Sequence, residues 1–311
     1  MKVLVTGIAG FIGSRLGEHL IANHHEVVGV DSFVPYYDRT VKERNLDRLR
    51  ELPGFAFHEL DLRTEGIDDV IAPCDAVVHL AAMPGLTKSW ADVDLYSSCN
   101  IVGTARVLDA CERNQTGRLV HISTSSVYGR MATGDETSPL QPISPYGVTK
   151  LAAEHLVQSY VSERSVEAVV LRYYSVYGPR QRPDMAYHLF SEALLDGDPI
   201  TVYGDGQQSR SNTFVDDCVH GTLQALLGAT PGETYNIGGG EAISVLEAIE
   251  VLADAAGVDP VIEFKEARSG DQRITKADFS KAARTFDYEP RVGPDAGLRA
   301  QFAWHQQRRQ R

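Results

Sequence analysis

Short apolar runs at residues 2–6, 26–30, 55–59, 76–79, 118–123 and 168–173 alternate with stretches in which apolar side chains recur every three or four positions, among them 12–23, 101–114 and 150–164. An unbroken apolar run suits a strand buried on both faces, whereas the longer period marks an amphipathic helix. The succession predicts an α/β fold: a Rossmann-type, doubly wound parallel sheet with helices on both faces. After about Tyr174 the pattern changes. Gly178-Pro179, Tyr203-Gly204-Asp205-Gly206 and Asn236-Ile237-Gly238-Gly239-Gly240 separate shorter helices. A smaller mixed α/β lobe is expected there, over the carboxyl ends of the strands, where open α/β sheets hold their ligands. The division falls at residues 1–174 and 175–311, with an interleaved boundary.

A chain of 311 residues is long enough to bury a sizeable core. Its net charge of −12 argues against a general nucleic-acid surface, and the basic end Arg308-Arg309-Gln310-Arg311 reads as a solvated terminus. Cys74, Cys99, Cys111 and Cys218 are scattered and form no CxxC pair, as in a reducing compartment. Glycines interrupt the apolar residues 1–12, no small-residue cleavage site follows, and no apolar stretch is long enough to span a bilayer. A cytoplasmic protein without membrane contact is expected. His79, His121 and His220 lack ligand spacing, so no metal is implied, and Asp216-Asp217 is expected to start or cap a helix.

The chemistry begins at Gly7-Ile8-Ala9-Gly10-Phe11-Ile12-Gly13, which links the first strand to a helix. Glycines at this spacing let the backbone turn sharply and approach a pyrophosphate resting on the helix N-terminus. Asp31 ends the second strand, where a carboxylate can accept hydrogen bonds from ribose hydroxyls and repel a 2′-phosphate, so NAD is expected over NADP; Arg39 is too far along to be the phosphate's partner. Asp61-Leu62 and Leu80-Ala81-Ala82 follow strands and fit the same cleft. In Tyr146-Gly147-Val148-Thr149-Lys150 a phenol and an ammonium lie four residues apart, on one face if the segment is helical. The ammonium is expected to lower the phenol's pKa, which suits interconversion of an alcohol and a ketone beside a nicotinamide.

With these features the chain resembles the extended short-chain dehydrogenase/reductase family, specifically its nucleotide-sugar epimerases, dehydratases and decarboxylases. The resemblance runs through the glycine loop, Leu80-Ala81-Ala82, Asn100 in Asn-Ile-Val-Gly-Thr, Ser123-Thr124-Ser125-Ser126-Val127-Tyr128-Gly129, the Tyr146/Lys150 pair, Leu171-Arg172-Tyr173-Tyr174-Ser175, Tyr203-Gly204-Asp205-Gly206 and Ser269-Gly270-Asp271. It implies that Tyr146 takes the proton of a sugar 4-hydroxyl, that Thr124 binds the reacting oxygen, and that Lys150 holds the nicotinamide ribose. It also implies that Asn100 and Tyr173 join the cofactor site. Arg210 and Arg268 match the family's diphosphate-binding arginines, Tyr203 is expected near the base, and Asp271 belongs to the same pattern. The helices at 101–114 and 150–164 resemble those through which the family pairs as a homodimer.

Within the family, dehydratases carry Asp-Glu after the threonine, and UDP-glucuronate decarboxylases carry Glu at the position of Ser126. Ser125-Ser126 lacks both carboxylates. What remains is 4-epimerisation, which needs only oxidation and reduction at C4. Arg182-Pro183-Asp184-Met185-Ala186 resembles the corresponding segment of UDP-glucuronate 4-epimerases, so Arg182 and Ser175 are expected to meet the sugar carboxylate. This chain lacks an arginine that relatives carry near the sugar; either Lys88 replaces it or the local geometry there differs. The alternatives are a UDP-glucose/UDP-galactose 4-epimerase, a decarboxylase that dispenses with the glutamate, and an NAD-sensing binding protein.

Overall fold

In a computed structural model describing residues 1–267 and 274–310, seven parallel strands form one sheet. They are β1 (Lys2–Thr6), β2 (Glu26–Asp31), β3 (Phe55–Glu59), β4 (Ala76–His79), β5 (Arg118–Thr124), β6 (Ala168–Tyr173) and β7 (Thr234–Ile237), in spatial order 3-2-1-4-5-6-7. The order reverses beside β1, which opens a crevice at the carboxyl ends of β1 and β4.

The flanking helices used below are α1 (Phe11–Ala22), α2 (Arg39–Arg50), α3 (Gly103–Arg113), α4 (Pro145–Arg164) and α5 (Val215–Gly228). Successive strand residues point to opposite faces. Val3, Val5, Val27, Val120 and Leu171 pack with Leu16, Leu46, Leu49, Cys218 and Leu223 of α1, α2 and α5. Leu4, Val28, Val77, Leu119 and Val170 pack with Val107, Leu108 and Val157 of α3 and α4. A separate core, including Tyr187, Phe190, Ile249, Leu252, Leu298 and Phe302, lies in the later half of the chain.

The sequence pattern located six of the seven strands but read residues 236–240 as a glycine-bearing break. There Thr234–Ile237 forms β7, paired in parallel with β6. Thr234-Tyr235-Asn236-Ile237 is not an unbroken apolar run, and burial against the preceding strand decides the matter. The helix expected at 150–164 starts at Pro145, with Ser144 capping the Gly147 amide at 3.1 Å. The helix expected at 101–114 is the end of a longer unit: Val93–Ser97 runs through a π turn at Ser98–Val102 into α3. His79 and His121 lie on β4 and β5, His220 lies on α5, and Asp216 and Asp217 occupy the first turn of α5.

Candidate active site

The turn after β1 is built by what its glycines omit. Gly7 has φ +73°, and a Cβ there would stand 2.9 Å from the Ala81 nitrogen; a Cβ on Gly13 would stand 2.2 Å from the Gly7 oxygen. The start of α1 therefore lies against the turn, and no side chain caps it. Its first amides are left to a ligand, the arrangement that suits a pyrophosphate. Asp31 organises the same turn, because Oδ2 accepts from the Ala9 amide at 3.1 Å and Oδ1 from the Phe33 amide at 2.9 Å. Asn45 of α2 donates to the Ala9 carbonyl at 3.0 Å, and Lys42 lies 3.3 Å from Asp31 Oδ1. On the other side, the Thr6 hydroxyl holds both His79 Nδ1 at 2.7 Å and the Ala81 amide at 3.1 Å, which fixes Leu80-Ala81-Ala82 beside the glycine turn.

A cleft of about 470 Å³ runs from this turn to the first part of α4, lined by Gly7, Gly10, Phe11, Ile12, Gly13, Asp31, Asp61, Leu62, Leu80, Ala81 and Ala82, and further on by Thr124, Ser125, Ser126, Tyr146, Lys150, Tyr173, Ser175, Arg182 and Arg210. Thr124 ends β5, and its hydroxyl accepts from the Ser126 amide at 3.2 Å to cap the short turn Ser125–Tyr128. Tyr146 and Lys150 share one face of α4. Lys150 is 3 % exposed, and burial lowers its pKa from 10.5 to about 8, with Glu154 acting in the opposite sense. Burial and the Lys150 ammonium hold His79 down to about 3, so a neutral imidazole lies behind the lysine.

One electrostatic expectation is corrected here. Burial raises the Tyr146 phenol above its usual value, and the groups that act against burial are the Thr124 hydroxyl and the Arg182 guanidinium. These two opposing groups come from β5 and from the 178–185 loop.

Three other expected residues stand elsewhere. Asn100 is 1 % exposed and does not line the cleft: it accepts from the Met83 amide at 2.7 Å and donates to the Met83 carbonyl at 3.1 Å and to Thr149 at 3.0 Å. It clamps the cleft-lining segment after β4 to α4 from behind. Lys88 does not line the cleft: its ammonium donates to the Tyr36 carbonyl at 2.9 Å and lies 4.0 Å over the Tyr36 ring. Tyr203 ends the strand Ile200–Tyr203 outside the cleft lining. Arg268 and Asp271 lie outside the described residues. Arg39 pairs with Glu59 and Glu43 on the surface.

The sequence reading overlooked Tyr36, Tyr37, Lys42, Arg63, Met83, Gly85 and Cys99, all of which line the cleft. Arg63 grips Asp61 through both carboxylate oxygens at 2.7–3.1 Å. A local signal existed only for Gly85, which stands in a Pro-Gly pair: its φ is +91°, and a Cβ would meet the Tyr36 hydroxyl at 2.1 Å.

Residues 3–238 match the NAD dependent epimerase/dehydratase family. The chain is 40 % identical over 309 residues to an uncharacterised UDP-glucose epimerase of Bacillus subtilis, covering 98 % of both chains. It is 35 % identical to a UDP-glucuronate 4-epimerase of Thermodesulfobacterium geofontis, over 97 % of this chain and 95 % of that one. The crystal structure of UDP-glucuronic acid 4-epimerase from Bacillus cereus, in complex with UDP-glucuronic acid and NAD, superposes with a TM-score of 0.96 at 41 % identity and 99 % coverage of each chain.

Proposed function

The chain belongs to the NAD dependent epimerase/dehydratase family, and on that premise we propose that it is an isomerase that inverts C4 of a UDP-sugar, converting UDP-glucuronate to UDP-galacturonate through a transient 4-keto sugar. The observation that carries the reading is the composition of the far end of the cleft. Tyr146, Thr124, Ser125, Ser126, Ser175 and Arg182 meet there, and the cleft's carboxylates, Asp31 and Asp61, lie at the other end with the glycine turn. Among the described residues no carboxylate lines that end of the cleft, so they offer no acid–base pair for elimination, and a guanidinium there suits an acidic sugar.

When bound, NAD supplies the reversible acceptor for the hydride at C4. The residues for it are the Gly7/Gly10/Gly13 turn, Phe11, Ile12, Asp31, Asp61, Leu62, Leu80, Ala81, Ala82, Tyr173 and Lys150. As the phenolate, Tyr146 would take the proton of the 4-hydroxyl as hydride leaves C4, and the resulting phenol would return it when hydride re-enters on the opposite face. The Thr124 hydroxyl fixes the reacting oxygen, and Ser125, Ser126 and Ser175 line the sugar. Arg210 serves the diphosphate. Holding these groups in one geometry supplies much of the acceleration.

The reading extends to a cytoplasmic homodimer, with residues 1–174 as the cofactor unit and 175–311 mainly the sugar-nucleotide unit, the two interleaved because α5 packs on the cofactor sheet and β7 joins it. Among the described residues no helix is long and apolar enough to cross a membrane. Trp90 and Val148, 66 % and 52 % exposed, frame an apolar surface groove with Val93, Ile101, Pro142 and Ile143 at the start of α4, and a second copy covering it accounts for that exposure.

The test is incubation with UDP-glucuronate, followed by anion-exchange separation and mass detection. A new species of unchanged mass, identified as UDP-galacturonate, supports the reading, whereas a pentose product with CO2 identifies a decarboxylase. The Bacillus subtilis relative favours a second reading, interconversion of UDP-glucose and UDP-galactose. That reading predicts turnover of the neutral sugar with no special need for Arg182, so Arg182→Ala should leave UDP-glucose turnover little changed. The acid-sugar reading predicts a far larger loss on UDP-glucuronate.

A further inference from the structure

Arg182 is not a solitary cation at the end of the cleft. Its Nε and Nη2 donate to the two oxygens of Asp184, each at 3.0 Å, so one edge of the guanidinium is filled from within the same loop. A guanidinium has five N–H donors in a plane. A carboxylate on the Nε/Nη2 edge leaves Nη1 and the second hydrogen of Nη2 directed along the adjacent edge. Arg182 lines the cleft and Asp184 does not. The Asp184 carboxylate thus holds one edge of a guanidinium that faces the cleft and opposes the raising of the Tyr146 phenol.

Asp184 is held in turn from the other half of the molecule. The Tyr36 hydroxyl, on the loop after β2, donates to Asp184 Oδ2 at 3.2 Å, and the Arg182 guanidinium carbon lies 5.4 Å from the Tyr36 ring centroid. Tyr36 is itself fixed by the Lys88 ammonium and by Gly85, which leaves no room for a side chain beside the phenol oxygen. The backbone of the 178–185 loop has separate anchors: Gly178 donates to Gln301 at 2.8 Å, Gln301 donates to Gln181 at 2.8 Å, and Arg180 pairs with Glu18 at 2.8 Å. Loosening Asp184 thus frees the guanidinium without releasing the loop.

We infer that Asp184 and Tyr36 are positioning residues that fix the direction of the Arg182 guanidinium, and that this clasp across the cleft decides whether an acidic 4-keto sugar is epimerised or loses its carboxylate. The inference rests on the acid-sugar reading above. Its chemistry is that of a β-keto acid. Once C4 is a ketone, the C5–C6 bond can break, its electron pair passing into the ketone to give an enolate while CO2 departs. The enolate then takes a proton from water at C5. The bond breaks readily only when it aligns with the ketone π system, so a guanidinium of fixed direction that grips the carboxylate holds it out of line. A freely turning guanidinium still binds charge but does not impose that angle.

The experiment compares wild type, Asp184→Asn and Tyr36→Phe by calorimetric binding of UDP-glucuronate and UDP-glucose, and by CO2 released per epimerisation event on UDP-glucuronate. Loss of charge-assisted hydrogen bonds to the guanidinium is expected to raise the Kd for UDP-glucuronate about tenfold in Asp184→Asn. The Kd for UDP-glucose stays within about twofold, which also verifies that the variant is folded. The CO2 fraction rises in both variants, less in Tyr36→Phe, which loses one neutral bond. An unchanged CO2 fraction, equal losses of affinity for both sugars, or tighter binding of UDP-glucuronate each overturns the clasp while leaving the acid-sugar reading intact. A wild-type protein that turns over UDP-glucose and not UDP-glucuronate overturns both.

Discussion

At the scale of single residues, the site places an ionisable group where its charge is costly. Lys150 is buried, and its folded pKa of about 8 lies below the unfolded value of 10.5. Between those values the unfolded chain binds more protons, so stability rises with pH across that window. Below pH 8 the penalty of the buried ammonium is present in full. Lys150→Met, which removes the charge and keeps the length, is expected to raise stability at pH 7 by roughly 1–3 kcal/mol. Its advantage should shrink as pH approaches 10.5, with activity lost throughout; urea unfolding at several pH values checks this. Tyr146→Phe is expected to retain NAD and lose about a hundred- to ten-thousandfold in kcat, the worth of a positioned acid–base group. At this scale the sequence was informative where spacing is local, as in the glycine turn and the Tyr146/Lys150 pair. It was silent where a side chain arrives from afar: Tyr36 meets Asp184 across 148 residues, and no periodic pattern announces such a meeting.

Among elements, α4 carries the demands of the site and is held at its cap and again in its third turn. Ser144 caps it two residues before Tyr146, and further along Glu154 forms a buried ion pair with Arg172 of β6 at 2.7 Å, each side chain 5 % exposed. Glu154 also accepts from Ser123, next to Thr124 on β5, while Arg172 donates to the Tyr128 hydroxyl at 2.9 Å. One carboxylate therefore ties the helix bearing Tyr146 to the strand bearing Thr124. Removing a single partner of such a pair strands the other charge, so Glu154→Gln is expected to cost about 3–5 kcal/mol. A fall in the urea midpoint below the range at which the native protein unfolds would register it. Most strands were legible because they are apolar throughout, and most helices because they are amphipathic. The polar α2, which brings Lys42 and Asn45 to the glycine turn, carried neither signal, since only Asn45, Leu46 and Leu49 of it are buried.

For the whole molecule, pairing is the first consequence to measure. Covering the groove at Trp90 and Val148 with a second copy predicts sedimentation at twice the chain mass, and Val148→Asp is expected to return the protein to a monomer. The cap at Ser144 adjoins that groove, so dimer loss should also lower kcat, as activity measured across a dilution series would detect. A different consequence follows from β7. The last strand of the cofactor sheet, Thr234–Ile237, is encoded some sixty residues after its neighbour, Ala168–Tyr173. During synthesis at about 5–20 residues per second, β6 therefore waits roughly 3–12 seconds with one side unpaired. In that interval the nascent chain presents an apolar strand edge, the kind of surface on which chains join one another, and its safe passage falls to whatever shields the polypeptide as it leaves the ribosome.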